Sequence, residues 1–148
     1  MTAPYAKVLI GAHVFLIQDN KVFLIRRFNT GFGDGRYSVP AGHVDEGELI
    51  AEAALREAKE EAGVIVDPAS LTFVHVVQMR ILNKSRPNRM QCFFIAHSWE
   101  GDATNTEPEK CDHADWFPLD ALPENMVLYT RQALEQYMLG NAFSHFDE

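Results

Sequence analysis

Residues Gly42 to Val64 read GHVDEGELIAEAALREAKEEAGV, and this stretch decides the fold. Its centre carries three carboxylates, Glu57, Glu60 and Glu61, at i, i+3 and i+4. Wound as a helix, that spacing sets all three on one side within a single turn. Like charges so placed destabilise a helix by roughly 0.2–0.5 kcal/mol per pair. They also fall in the last turn before Gly63, where the helix dipole disfavours anions. Two readings account for them. One is a solvated charged face with intrahelical salt bridges. The other is a hard divalent cation in front of the helix, since such ions prefer carboxylate oxygens.

The spacing predicts a helix from Leu49 to Ala62, closed by Gly63 as the residue past its end. At 100° per residue, Ala51, Leu55, Ala58 and Ala62 share one side and are expected to face the core. An alanine face implies close approach to a sheet. Glu52, Arg56 and Lys59 form a polar sector, with Glu52 and Arg56 spaced for an ion pair. Ala53 and Ala54 lie one turn back on the carboxylate side, so nothing bulky covers it from there. Upstream, Pro40-Ala41-Gly42 sets bare backbone beside whatever lies above the carboxylates.

Toward the N-terminus, residues 7–17 are rich in Val, Leu, Ile and Phe and read as a strand buried on both faces. Asp19-Asn20 turns the chain into a second strand, Lys21 to Phe28. NTGFGDG, from Asn29 to Gly35, is a glycine-rich loop on that hairpin, and Tyr37-Ser38-Val39 is a short strand. Downstream of the helix, Leu71 to Arg80 and Met90 to His97 read as partner strands. Residues 100–113 form a long acidic loop, of a length that is usually functional or disordered. Asp115-Trp116-Phe117 is a short strand, and Met126 to Leu139 an amphipathic helix ended by Gly140. Strands, helix, strands, helix is an α/β order: a mixed sheet with helices packed on it.

Bulk composition agrees. At 148 residues the chain is expected to form one domain with a real core, and 47% hydrophobic with 23% charged residues is ordinary for a globular protein. A net charge of −8 argues against non-specific binding to a nucleic-acid backbone. Cys92 and Cys111 make no disulfide framework, so a reducing, cytoplasmic setting is expected. The N-terminal apolar run is too short to span a membrane and shows no basic leader or cleavage site.

The Gly42–Val64 stretch resembles the Nudix box, G-x5-E-x7-R-E-U-x-E-E-x-G-U, where U is a bulky aliphatic residue. Gly42, Glu48, Arg56-Glu57, Glu60-Glu61, Gly63 and Val64 stand at the required offsets. The one departure is Ala58, where a larger aliphatic is usual; a packing adjustment is expected there. The run YSVPAGHVDEGE before the helix and EPEKCDHADWFPLDALPEN after it also look like parts of a Nudix domain.

The resemblance implies an α/β/α sandwich with a central mixed sheet. It also implies hydrolysis of a diphosphate linkage in a nucleoside diphosphate derivative, using Mg²⁺ or Mn²⁺. Carried over by position, Glu57 and Glu61 are expected as metal ligands, Glu60 as a ligand or close to one, and the Gly42 carbonyl as a further ligand. Glu48, Arg56 and Gly63 take structural parts, with Arg56 holding Glu48 or Glu52. The general base is expected to be a box glutamate or an acid of the later loop, where Glu109 is favoured over Glu107 and Asp112. Arg27 is favoured over Arg26 for phosphate, because strand alternation points the two to opposite faces. Phe28, Phe32 and Tyr37 are candidates for stacking on a base.

Subfamily marks narrow the substrate by absence. ADP-ribose hydrolases tend to carry Pro about sixteen residues past the box, where this chain has Met79-Arg80-Ile81. Dinucleoside polyphosphate hydrolases tend to carry Tyr near there, and here the first Tyr after the box is Tyr129. What remains resembles the small pyrophosphatase type, which converts a (deoxy)nucleoside triphosphate to monophosphate and pyrophosphate. Nucleotide-sugar or ADP-ribose cleavage, and a nucleotide-sensing module without catalysis, are the alternatives. RNA decapping is disfavoured by the net charge and by the lack of a basic aromatic stripe. A small nucleotide is the expected partner, with no membrane and no specific nucleic acid, and Nudix domains of this size often form homodimers.

Overall fold

The β-branched run near the N-terminus becomes β1 (Val8–Gln18) in the computed structural model, which describes residues 4–148. Met1 to Ala3, the start of the N-terminal run, lie outside the described residues. β1 turns into β2 (Lys21–Arg27) through Asp19 and Asn20 at φ 52° and 60°. Left-handed conformations at both turn positions match the twist of the flanking strands, and Asp and Asn tolerate them best among non-glycine residues. β3 (Tyr37–Ser38) and β4 (Ala41–His43) follow the glycine loop, and α1 (Ile50–Ala62) follows β4. β5 (Thr72–Arg80), β6 (Asn88–Ala96), β7 (Cys111–Pro118), α2 (Leu128–Met138) and β8 (Phe143–Asp147) complete the order.

The strands join in one mixed sheet of order β3-β2-β1-β6-β5-β8, with β4 paired to β1 and β7 to β2. β1 runs parallel to β6, and β8 parallel to β5. Alternation along β1 sorts two cores. Ala12, Val14 and Leu16 face α1 with Phe23, Ile25 and Phe94, while Phe15 and Ile17 face α2 with Leu24, Phe93 and Leu134. This is the expected sandwich of a mixed sheet between helices.

Three expectations change. The buried stripe of α1 is Ala53, Ala54, Glu57, Ala58 and Ala62; Ala51 is exposed and Leu55 only half-buried. The helix is rolled so that the stripe takes in Glu57, the residue beneath β4. Ala58 is fully buried, on the core face where it was expected. The acidic loop ends earlier than expected: Cys111, Asp112 and His113 belong to β7, paired with β2. Two strands were not legible at all. β4 is too short for a period to show, and β8 (FSHFD) carries no apolar alternation.

Candidate active site

Gly42 is where the site begins. β4 pairs with β1 through Ala12↔Gly42, which lays the glycine backbone against α1. A Cβ on Gly42 would stand 2.0 Å from Glu57 Oε1. A side chain there would push the Glu57 carboxylate aside, so glycine is what lets that carboxylate approach β4. The neighbouring Ala41 N–H donates to Glu61 Oε2 at 3.0 Å. Strand and helix thus hold the Glu57 and Glu61 carboxylates beside Gly42 and Ala41, close enough for the charge of Glu57 to act on Glu61.

The electrostatics of that pair are uncomfortable. Burial, before all else, pushes the Glu61 carboxyl well above the usual range; the charges of Glu57 and Glu107 act the same way, while the Ala41 N–H opposes them. Burial also raises Glu57, with the Glu60 charge adding and Arg56 opposing. Glu60 is exposed at the rim, with Oε2 3.4 Å from Arg56. Arg56 is the cation that answers the cluster. Its Nη1 donates to Glu57 Oε1 at 2.7 Å, Nε and Nη2 fork onto Glu48 at 2.8 and 3.0 Å, and Nη2 also reaches the His43 carbonyl at 3.1 Å. The Arg56 fork and the Asp45 N–H bring the Glu48 carboxyl down to about 2. Arg56 therefore pairs with Glu48 rather than with Glu52, the partner its helical spacing suggested, because the loop before α1 folds back over the helix.

One guanidinium shared among Glu48, Glu57 and Glu60 leaves the cluster with an excess of negative charge. That donor set, all hard oxygens on a partly dry face, fits a divalent cation of the kind Nudix hydrolases generally use. Among the described residues no three such side chains are already gathered into a closed cage. Glu57 and Glu61 are the ones brought together, with Glu60 one step outside.

The long loop is ordered as a cap on α1. Thr104 N–H donates to the Ala62 carbonyl at 3.0 Å, and Thr106 Oγ1 to the Glu60 carbonyl. These are orphan acceptors of a helix C-terminus, and the loop satisfies them. Gly63, at φ 72°, ends the helix and leaves room for the loop: a Cβ there would meet Thr106 Cγ2 at 2.9 Å. Docking in this way carries Glu107 into the cleft beside Glu61, whereas Glu109 is exposed and does not line it. The favoured loop acid of the sequence reading is thus displaced by its neighbour two residues earlier. Asp112 is taken up by Arg26 Nε at 2.7 Å.

The cleft has a volume of about 800 Å³ and runs from Glu57, Glu60, Glu61 and Glu107 across β1 to Arg86, Arg89 and Gln91. Arg26 and Arg27 both line it. The pairing irregularity beside them lies on β7, where Asp112 is the extra residue, so they remain consecutive on β2 and both still border the cleft. Arg27 holds the glycine loop, donating to the Phe32 carbonyl at 2.6 Å and Thr30 Oγ1 at 3.1 Å, and lies 5.4 Å from the Phe32 ring centroid. Of the stacking candidates, Phe32 lines the cleft and Phe28 is exposed beside it. Tyr37 is a core residue. Its ring packs on Phe117, its hydroxyl bonds His113 Nδ1 at 2.7 Å, and it does not reach the cleft. The sequence reading had not singled out Gln91, and had left His13 with no part at this site. Neither carries a spacing signal, because register across β1 and β6 is what brings them to the cleft floor.

Known proteins resemble this chain in sequence and in fold. The family model of the NUDIX domain matches residues 8–137. The chain is 35% identical over 121 residues to an "ADP-ribose pyrophosphatase" of Methanocaldococcus jannaschii, covering 82% of this chain and 68% of the relative. It is 33% identical over 110 residues to an "Oxidized purine nucleoside triphosphate hydrolase" of Mus musculus, covering 74% of this chain and 66% of the relative. Several other curated relatives are longer, and the chain spans only about two fifths of their length. Among solved structures, a MutT NUDIX hydrolase from Burkholderia pseudomallei superposes with a TM-score of 0.79 at 29% identity, covering 88% of this chain and 98% of that one. No helix among the described residues is long and apolar enough to cross a membrane. On the profile match over most of its length and the identity to named pyrophosphatases, the chain belongs to the Nudix hydrolase family, enzymes that act on phosphoanhydride bonds.

Proposed function

We propose that this chain hydrolyses a diphosphate linkage in a nucleoside diphosphate derivative, foremost a (deoxy)nucleoside triphosphate, giving the monophosphate and pyrophosphate. The observation that carries this reading is the Glu57–Glu61 pair, Glu57 buried and Glu61 half-buried, held beside Gly42 and Ala41 at the wall of a nucleotide-sized cleft. Glu57 and Glu61 are the residues that would hold Mg²⁺ or Mn²⁺, with Glu60 and the Gly42 carbonyl beside them. An ion held there would neutralise phosphate oxygens and lower the pKa of water. Arg56 keeps Glu57 oriented through its own bonds to Glu48 and His43. In this reading Glu107 and Glu61, which line the cleft, take a proton from attacking water, and Arg27, whose Nε and Nη2 hold the glycine loop, meets a phosphate with Nη1. Phe32 offers the aromatic face for a base.

Glu61→Gln keeps the shape and removes the charge. It is expected to lower kcat at least about a hundredfold on the best wild-type substrate, with unchanged circular dichroism. The assay is hydrolysis of a nucleotide panel with Mg²⁺ and with EDTA, products identified by chromatography. Full activity of Glu61→Gln would sink the mechanism, and tight nucleotide binding with no release in either condition would make the chain a sensing module. A second reading, cleavage of ADP-ribose or a nucleotide sugar, is favoured by the 35% identity to the archaeal pyrophosphatase, although Pro is absent from its usual place after the box. Product identification on the same panel separates the two, and gel filtration tests the homodimer.

A further inference from the structure

The end of the cleft farthest from the carboxylates has a chemistry the reaction does not explain. Arg89 and Gln91 stand on one face of β6, and their register with β1 sets them opposite Leu9 and Gly11. Gly11 is a notch for Gln91: a Cβ there would stand 2.0 Å from Gln91 Oε1. Seated in that notch, Gln91 takes the His13 Nε2–H at 2.7 Å, and the Arg89 side chain lies alongside in the cleft wall.

Arg89 Nε is buried with no hydrogen-bond partner among the described residues, and no carboxylate among them pairs with its guanidinium. The other arginines of the cleft already have partners within the fold. Arg86 pairs with Glu148 at 3.2 Å, Arg26 with Asp112, and Arg27 holds the glycine loop. Arg89 as a whole is half-buried, so apart from Nε its guanidinium keeps water in the open cleft, and ligand binding that strips this water is costly unless the ligand is anionic. A neutral sugar or base edge leaves the charge uncompensated. Two strand spacings, about 10 Å, separate Gly42 on β4 from the β6 position opposite Gly11. An anion on Arg89 is therefore a different group from the one beside Glu57 and Glu61.

We infer that Arg89 is the counter-ion of a free terminal phosphate on the substrate, so that the chain selects nucleotides ending in a phosphate over those whose diphosphate is capped by a neutral sugar. This inference rests on the hydrolase reading and deepens it. Arg89 acts here as a specificity-determining residue. Its planar donors suit a phosphate better than an ammonium would.

The test compares wild type with Arg89→Met and Arg89→Lys on a nucleoside triphosphate and on the matching nucleoside diphosphate sugar, with Mg²⁺ present and with circular dichroism to check the fold. Arg89→Met is expected to lower kcat/KM for the triphosphate by roughly 10- to 100-fold, mostly through KM, on the scale of a charged hydrogen bond. The triphosphate-to-sugar selectivity ratio should fall about tenfold or more, and Arg89→Lys should keep an intermediate ratio. An unchanged ratio would overturn the inference, even if both activities fell. A second arm needs no turnover: calorimetric titration with inorganic tripolyphosphate in EDTA. Wild type should bind it and Arg89→Met about tenfold more weakly or not at all; equal binding overturns the inference. If wild type cleaves neither substrate, the hydrolase reading fails, and the tripolyphosphate arm still decides Arg89. If Arg89→Met does not fold, Arg89→Lys and Arg89→Gln carry both arms.

Discussion

His13 on β1 is 4% exposed, stacked on Phe93 at 4.4 Å and bonded through Nε2 to Gln91. Burial, partly opposed by the Gln91 bond, brings its pKa down from 6.5 to about 4, so the folded chain keeps the ring neutral. The unfolded chain takes up the proton first as pH falls. The stability that comes from a neutral His13 is therefore complete above pH 6.5 and lost progressively toward pH 4. The full difference corresponds to about 3 kcal/mol. Urea melts of wild type and His13→Phe between pH 4 and pH 7 test this. The variant is expected to be less stable at neutral pH, because Gln91 loses its partner, but to have a flatter profile. A slope as steep as that of wild type would show that the acid sensitivity lies elsewhere. Nothing in the sequence marks His13. An apolar strand with one histidine reads the same whether the ring is bonded in a cleft floor or merely tolerated, and register across β1 and β6 decides it.

α1 was the most legible element and also the one whose rotation was misjudged. Box spacing placed Glu57, Glu60 and Glu61 together and ended the helix at Gly63, as observed. The core face was displaced because alanines occur all round this helix, so the hydrophobic pattern has little amplitude to fix its phase. β4 fixes it instead, by seating Glu57 against Gly42. For the same reason Arg56 turns from Glu52, its neighbour on the helix, to Glu48 on the loop before it. The acidic loop shows the complementary limit. Its composition reads as solvated charge, and only its contacts with the last carbonyls of α1 reveal that it delivers Glu107 and not Glu109. Arg56 joins loop, helix and Glu57 in one bidentate network, so Arg56→Met is expected to weaken metal affinity and kcat/KM by about 10- to 100-fold, the usual cost of losing a group that orients a ligand. Arg56→Lys should recover only part of this, since one ammonium cannot fork onto Glu48 and reach Glu57 together. Isothermal titration with Mn²⁺ and steady-state kinetics measure the two effects; wild-type values for Arg56→Met would remove Arg56 from the site.

At the scale of the whole molecule, the sheet is closed by its last strand. β8 adds in parallel to β5 from Val76↔Phe143 to Arg80↔Asp147, and Arg80 pairs with Asp147 at 2.7 Å. His75, fully buried, spends both ring nitrogens on this strand and its approach, at the Asn141 carbonyl and Ser144 Oγ. Gln132 of α2 bonds Ser144 and the His145 carbonyl, which ties the helix layer to the same edge. Glu148 then reaches Arg86 in the cleft wall, so the end of the chain bears on the site as well as on the fold. A chain ended after Gly140 is expected to melt at least about 10 °C lower, taking about 1 kcal/mol for each lost hydrogen bond and 2–4 °C per kcal/mol for a chain of this size. It would expose the β5 edge as a template for pairing with another chain. Scanning calorimetry and gel filtration measure both consequences. Full-length melting temperature and an unchanged elution volume would show that β5 ends the sheet unaided.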